Sequence, residues 1–124
     1  MGNLILAYID KDENFRYAGR VGTGFKHSDR EEWLSWALKN KASGPEKSRL
    51  IWTKPIRVVE IQSEELRIQN TALYAYDEAY GRYSQIGKAK SAIGRKPVFI
   101  RIREDKKPTP HDVRLEQIPG FKDG

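Results

Sequence analysis

The stretch KPVFIRIREDKK, residues 96 to 107, sets Arg101 and Arg103 two positions apart and follows them with Glu104, Asp105, Lys106 and Lys107. On a strand, residues two apart share a face and lie roughly 7 Å from one another. That separation suits neighbouring phosphates, because each guanidinium offers a planar fork of donors and keeps its charge at any working pH. The same arginines could instead pair with Asp105 or Glu104 at the surface, a contact worth little.

Other side chains offer less. The chain of 124 residues has no cysteine, which removes disulfides, thiolate catalysis and sulfur-ligated zinc and accords with a reducing compartment. His27 and His111 lie far apart without metal-ligand spacing, so both are expected at the surface or at caps, and no metal site is expected. Glu31-Glu32 and Glu64-Glu65 are adjacent pairs that point to different sides of an element, unlike an acid/base dyad. GRVGTGF lacks the G-K-[ST] ending of a P-loop and the spacing of a dinucleotide fingerprint. It reads as a turn with Gly22 and Gly24 in special conformations, whose amides, with Arg20 and Lys26, could hold a nucleic-acid phosphate. Trp33 and Trp36 read as core and rim, and Trp52 as either core or a stacking surface.

Charge is concentrated. Residues 1 to 80 carry 12 cations and 12 anions, residues 81 to 103 carry 7 cations and no anion, and the remainder carries 4 cations and 5 anions, which gives the net +6. The 23-residue block holds Arg82, Lys88, Lys90, Arg95, Lys96, Arg101 and Arg103. If folded onto one face it is the footprint of a polyphosphate or nucleic-acid partner; otherwise it is a solvated basic loop. No apolar run reaches the length of about 20 residues that a membrane helix needs. The start MGNLILAYIDKD has no cationic segment or cleavage site of a secretory leader, and a cytoplasmic location is expected.

These residues must be positioned mostly by strands. NLILAYI and FRYAGRVG flank the turn DKDEN and read as a hairpin, with Phe15, Tyr17, Gly19 and Val21 on one side of the second strand and Arg16, Ala18 and Arg20 on the other. Ser28 and Glu31 form a capping-box pattern ahead of Trp33, Leu34, Ala37 and Leu38, which predicts a helix ending near Lys41. A strand is expected over Ile56 to Ile61. ELRIQ reads as its continuation or as a new strand. Residues 72 to 94, with Tyr74, Tyr76, Tyr80 and Tyr83, carry no firm assignment. Val98, Ile100 and Ile102 should face a core, with Phe99, Arg101 and Arg103 outside. PHDVRLEQI is compatible with one short helix. Five or so short strands with one early helix suggest a small closed or partly open barrel.

PVFIRIREDKKP, preceded by Arg95 and followed by a polar segment ending RLEQI, resembles the final motif of ATP-dependent DNA ligases, an Arg, a Pro, an apolar strand and then R-x-D-K. LILAYID and FRYAGRVGTGF look like the start of the oligonucleotide-binding (OB) fold domain of those ligases, the bacterial end-joining type included. IWTKPIRVVEI is similar to their W-x-x-P-x-x-V-x-E-V stretch. The chain departs at Lys96 and Val98, where the family often has an aromatic residue and an arginine.

The resemblance implies an all-β fold with minor α, a five-stranded OB-fold β-barrel, over residues 1–119, with a flexible tail at 120–124. It implies a part in nick sealing, and so in DNA repair and recombination. Such ligases transfer AMP from ATP to a lysine, then to the 5′-phosphate of a nick, and release it when the 3′-hydroxyl attacks. Arg103 and Lys106 would face the departing pyrophosphate and Asp105 would orient one or both. Arg20, Lys26, Lys88, Lys90, Arg95 and Arg101 are the candidates for DNA phosphates. The partners implied are nicked duplex DNA and the adenylation domain of the same enzyme, with ATP and a divalent metal such as Mg in the full enzyme and none on this domain alone. The chain is expected to be monomeric. It contains no K-x-D-G nucleophile; FKDG at its end lacks the intervening residue, so no ligation by this chain alone is expected. A free-standing nucleic-acid-binding barrel and a module that docks an acidic protein are the alternatives. The barrel of an RNA ligase or capping enzyme is a related reading. The ordered acid among cations in R-x-D-K favours the ligase reading.

Overall fold

The computed structural model describes residues 2–45, 50–113, 115, 118 and 121. Strands β1 (Leu4–Ile9) and β2 (Phe15–Val21) form the expected antiparallel hairpin. Asp10 builds its turn: Oδ1 accepts the N–H groups of Asp12 and Asn14, each at 3.0 Å, and Glu13 takes a left-handed φ of 62°.

The alternation expected along β2 breaks at a bulge, because Ile5 lies opposite Arg20 and Ala7 opposite Tyr17. Arg16 and Ala18 are buried together with Gly19 and Val21, and Arg20 is exposed. Both faces of β2 are covered, so alternation cannot be read from polarity. Arg16 is admitted because Nε meets Asp10 Oδ2 at 3.0 Å and Nη1 donates to the Lys90 carbonyl at 2.8 Å.

Helix α1 (His27–Lys39) starts one residue before the expected cap. Lys26 is the N-cap residue, and its N–H donates to Asp29 Oδ2 at 2.8 Å, so Ser28 lies inside the first turn and does not cap. Arg57 stacks over Trp33 and Trp36 at 4.8 and 4.4 Å and pairs with Glu32 at 2.9 Å, which ties the helix to the segment entering the next strand.

Strand β3 (Val59–Gln62) is shorter than the Ile56 to Ile61 expectation, and it pairs antiparallel with the strand that carries Arg101. Between them β4 (Glu65–Asp77) and β5 (Arg82–Arg95) form a long hairpin out of the stretch that sequence patterning left unassigned. ELRIQ is thus the start of a new strand. The last strand is β6 (Val98–Ile102).

The expected faces of β6 are also corrected. Glu60 lies opposite Arg101 and Ile61 opposite Phe99, which leaves Ile100 as an extra residue in a bulge. Beyond the bulge the alternation inverts. Phe99 and Ile102 join Val59 and Ile61 in the core, Phe99 being buried at 7% exposure, whereas Ile100 is 42% exposed. Phe99 stacks on Phe25 at 4.5 Å and meets Trp33 edge-on at 6.1 Å.

The strands form two antiparallel sheets, ordered β1-β2-β4-β5 and β3-β6. They touch where Glu64 N–H donates to the Arg95 carbonyl at 3.1 Å and Phe99 N–H to the Thr23 carbonyl at 2.8 Å, without closing a hydrogen-bonded cylinder. The all-β architecture with one early helix is as expected and OB-like, and the described residues form six strands. One core cluster joins Val21, Trp33 and Phe99, and a second joins Ala92, Leu115, Ile118 and Phe121. Trp52 is a packing residue: its ring meets Tyr74 and Tyr83, and Nε1 donates to the Pro45 carbonyl at 3.0 Å. Near the C-terminus, the N–H groups of Asp112 and Val113 donate to the Thr109 carbonyl in a turn. Arg114, Glu116 and Gln117 of the expected C-terminal helix, and Lys122 and Asp123 of FKDG, lie outside the described residues.

Candidate anion-binding site

The bulge at Ile100 turns Arg101 outward and lets β3 place Glu60 directly across from it. Arg101 Nε donates to Glu60 Oε1 at 3.0 Å, and Arg103 Nη1 approaches the same oxygen at 3.4 Å. The two arginines therefore share a face, as expected. Arg103 also grips Asp105 side-on along one edge of its guanidinium, Nε to Oδ1 at 2.9 Å and Nη2 to Oδ2 at 2.7 Å. Lys106 follows in a turn, its N–H donating to the Arg103 carbonyl at 3.3 Å.

This geometry has electrostatic consequences. The hydrogen bond from Arg103 is the largest cause that holds the Asp105 carboxyl well below the usual carboxylate range, with the charges of Arg103 and Lys106 adding to it. The reciprocal bond pushes the Arg103 guanidinium further above its ordinary value, so the pair stays ionised across the working range. Of the five N–H donors on Arg103, three are engaged by these acids, and the guanidinium has further donors for an incoming oxyanion. A neighbouring loop is stapled in the same way. Asp112 is held low first by the Lys107 N–H at 2.8 Å and then by His111 Nδ1 at 3.1 Å.

Arg103, Asp105 and Lys106 are thus brought together within one strand end and its turn. The surface-pairing alternative is realised for Arg103 with Asp105, whereas Arg101 pairs with Glu60 and not with Glu104. Glu60 is the residue that sequence patterning missed. Its one signal was its place in the V-x-E-V stretch, and its role needed the register of β3 against β6.

The other cationic candidates are dispersed. Lys26, at the start of α1, lines a groove of about 340 Å³ with Arg101, Phe99 and Trp33. Arg20 is exposed on β2 and borders a larger groove, about 1550 Å³, that also takes in Glu60, Arg103 and Lys106. Lys88 and Lys90 lie opposite Ala72 and Asn70 and share one face of the β4–β5 ribbon. Arg95, opposite Glu65, alternates to the other face. The basic block is therefore not a single patch. His27 and His111 are at the surface, beside Glu31 and Asp112. Gly24 has the special conformation expected of the turn, with φ at 97° and Phe99 backbone against it; Gly22 does not.

Among the described residues no group of three or more His, Cys, Asp and Glu could hold a metal ion, and no helix is long and apolar enough to cross a membrane. A family model described as the C-terminal region of ATP-dependent DNA ligases matches residues 1–106, which include both sheets and the turn that carries Asp105 and Lys106. No curated protein matches the chain.

Proposed function

Because the chain belongs to the family of C-terminal regions of ATP-dependent DNA ligases, we propose that Arg103, Asp105 and Lys106 orient the pyrophosphate of ATP while the ligase is adenylated. In the same reading Arg20, Lys26, Lys88, Lys90, Arg95 and Arg101 grip phosphates of nicked duplex DNA. The observation that supports the first part is the two-pronged Arg103–Asp105 contact with Lys106 beside it. Negative charge grows on a departing pyrophosphate, and a cation already held in place stabilises it without reorganisation at the moment of reaction. Asp105 holds one edge of the fork, so Arg103 presents its remaining donors in a defined direction.

The family implies ATP and a divalent metal in the full ligase. The described residues form no carboxylate or histidine cluster suited to a metal, and the reading uses none. The second part of the proposal rests on charge. Nick sealing requires a grip that ignores sequence, and lysine and arginine contacts to phosphates supply it.

The test is a ligase carrying this region with Arg103→Ala. Adenylation is expected to fall by about 10²–10³-fold, the loss typical of one preorganised donor at a developing charge. Sealing of a nick that already bears AMP releases no pyrophosphate and is expected to stay within a few-fold of the parent. Equal losses in both assays would sink the leaving-group reading and favour a general role in DNA binding.

A further inference from the structure

One carboxylate oxygen serves both arginines of the last strand. Glu60 Oε1 lies 3.0 Å from Arg101 Nε and 3.4 Å from Arg103 Nη1, although Arg101 and Arg103 border different grooves. On the small-groove side Arg101 stands with Lys26; on the large-groove side Arg103 stands with Lys106. Two guanidiniums this close repel one another, and the long arginine stems would let them separate. Asp105 restrains Arg103 alone. Glu60 is therefore the group whose charge answers both cations.

We propose that Glu60 is a positioning residue that links the two grooves, holding Arg101 and Arg103 through one shared oxygen. Its geometry stands by itself, and its consequence for catalysis rests on the pyrophosphate reading given above. Because the oxygen is shared, the two contacts are linked. An oxyanion that draws Arg103 away from Glu60 leaves the carboxylate to Arg101, and an oxyanion that draws Arg101 away leaves it to Arg103. By reciprocity, each groove reports on the occupancy of the other. Glu60 is half-buried on an outward face, so its replacement is not expected to disturb the core.

The experiment is side-chain NMR of this chain, following the Nε–H signals of both arginines in the parent, in Glu60→Gln and in Glu64→Gln. The last removes one exposed carboxylate from the turn before β4 and controls for net charge. In Glu60→Gln, exchange of the Arg101 Nε–H with water is expected to speed up by roughly two- to fivefold, the range for an exposed ion pair. The Arg103 Nε–H, held by Asp105, is expected to change less, and Glu64→Gln to change neither. Addition of inorganic pyrophosphate to the parent is expected to shift Arg103 and, through Glu60, Arg101; in Glu60→Gln only Arg103 should respond. An unchanged Arg101 exchange rate in Glu60→Gln overturns the proposal, and so does an Arg101 response to pyrophosphate that survives the substitution. Pyrophosphate that shifts neither arginine of the parent overturns the linkage between the grooves; the pyrophosphate reading is then judged by the adenylation assay, and the positioning role of Glu60 by the exchange rates.

Discussion

Asp10 and Arg16 show how much one residue's setting can differ from its type. Both are almost fully buried, and each satisfies the other along with turn amides and the Lys90 carbonyl. Removing one partner strands a buried charge, so Asp10→Ala is expected to destabilise the chain by about 3–5 kcal/mol in urea unfolding. The double variant Asp10→Ala/Arg16→Met should recover much of that loss, and a fully additive loss would contradict the ion-pair account. Asp105 is the opposite case, an exposed acid tuned by its neighbour. Its depressed pKa means that its contribution is complete above the ordinary aspartate midpoint and is lost only as pH falls towards the lower folded value. At a pH near 3.9, roughly the unperturbed midpoint, the Asp105 carboxyl should still be ionised by carbon NMR. Half-protonation there would mean that the Arg103 contact does not form in solution.

At the scale of elements, the bulge at Ile100 and the turn at Gly24 decide where the site points. The bulge inverts the face of β6, which sends Phe99 inward and Arg101 towards Glu60. Gly24 sits flat on the Phe99 backbone with φ at 97°, a conformation and a closeness that a side chain does not tolerate. Gly24→Ala is expected to cost more than about 1 kcal/mol, because the substitution adds strain where φ is positive, and to broaden the Arg101 and Lys26 signals as the groove between α1 and β6 shifts. A stability equal to the parent's would show that this close approach is not needed. The hairpin of β1 and β2, helix α1 and the last strand were legible from local patterns. The long β4–β5 hairpin was not, since its scattered tyrosines follow no single period. A bulge at Ile86 breaks the alternation, and Tyr83 donates to the Thr53 carbonyl at 2.7 Å from across the fold.

At the scale of the whole molecule, the chain has a net charge of +6, and cations stand on both faces of the β4–β5 ribbon and in both grooves. A duplex gripped by such a surface should release counterions, with a salt slope that grows by about 0.9 for each phosphate neutralised. Fluorescence anisotropy of this chain on nicked duplex is expected to show that slope. Lys88→Glu/Lys90→Glu should weaken binding and flatten the slope by about 0.9 for each phosphate that a lysine no longer neutralises. Unchanged affinity in that variant would remove the β4–β5 ribbon from the interface.

What the sequence determined by itself was whatever depends on near neighbours. The turn at DKDEN, the helix after GTGF, the absence of cysteine, the cationic block and the order Arg103, Asp105, Lys106 were all readable, because each is set within a few residues. The tertiary structure alone decided which charges meet and which faces are covered. Glu60 and Arg101 are separated by 41 positions, and Arg16 and the Lys90 carbonyl by 74. Strand register, bulges and two-sided burial bring such groups together, and a one-residue shift in pairing turns every side chain to the other face.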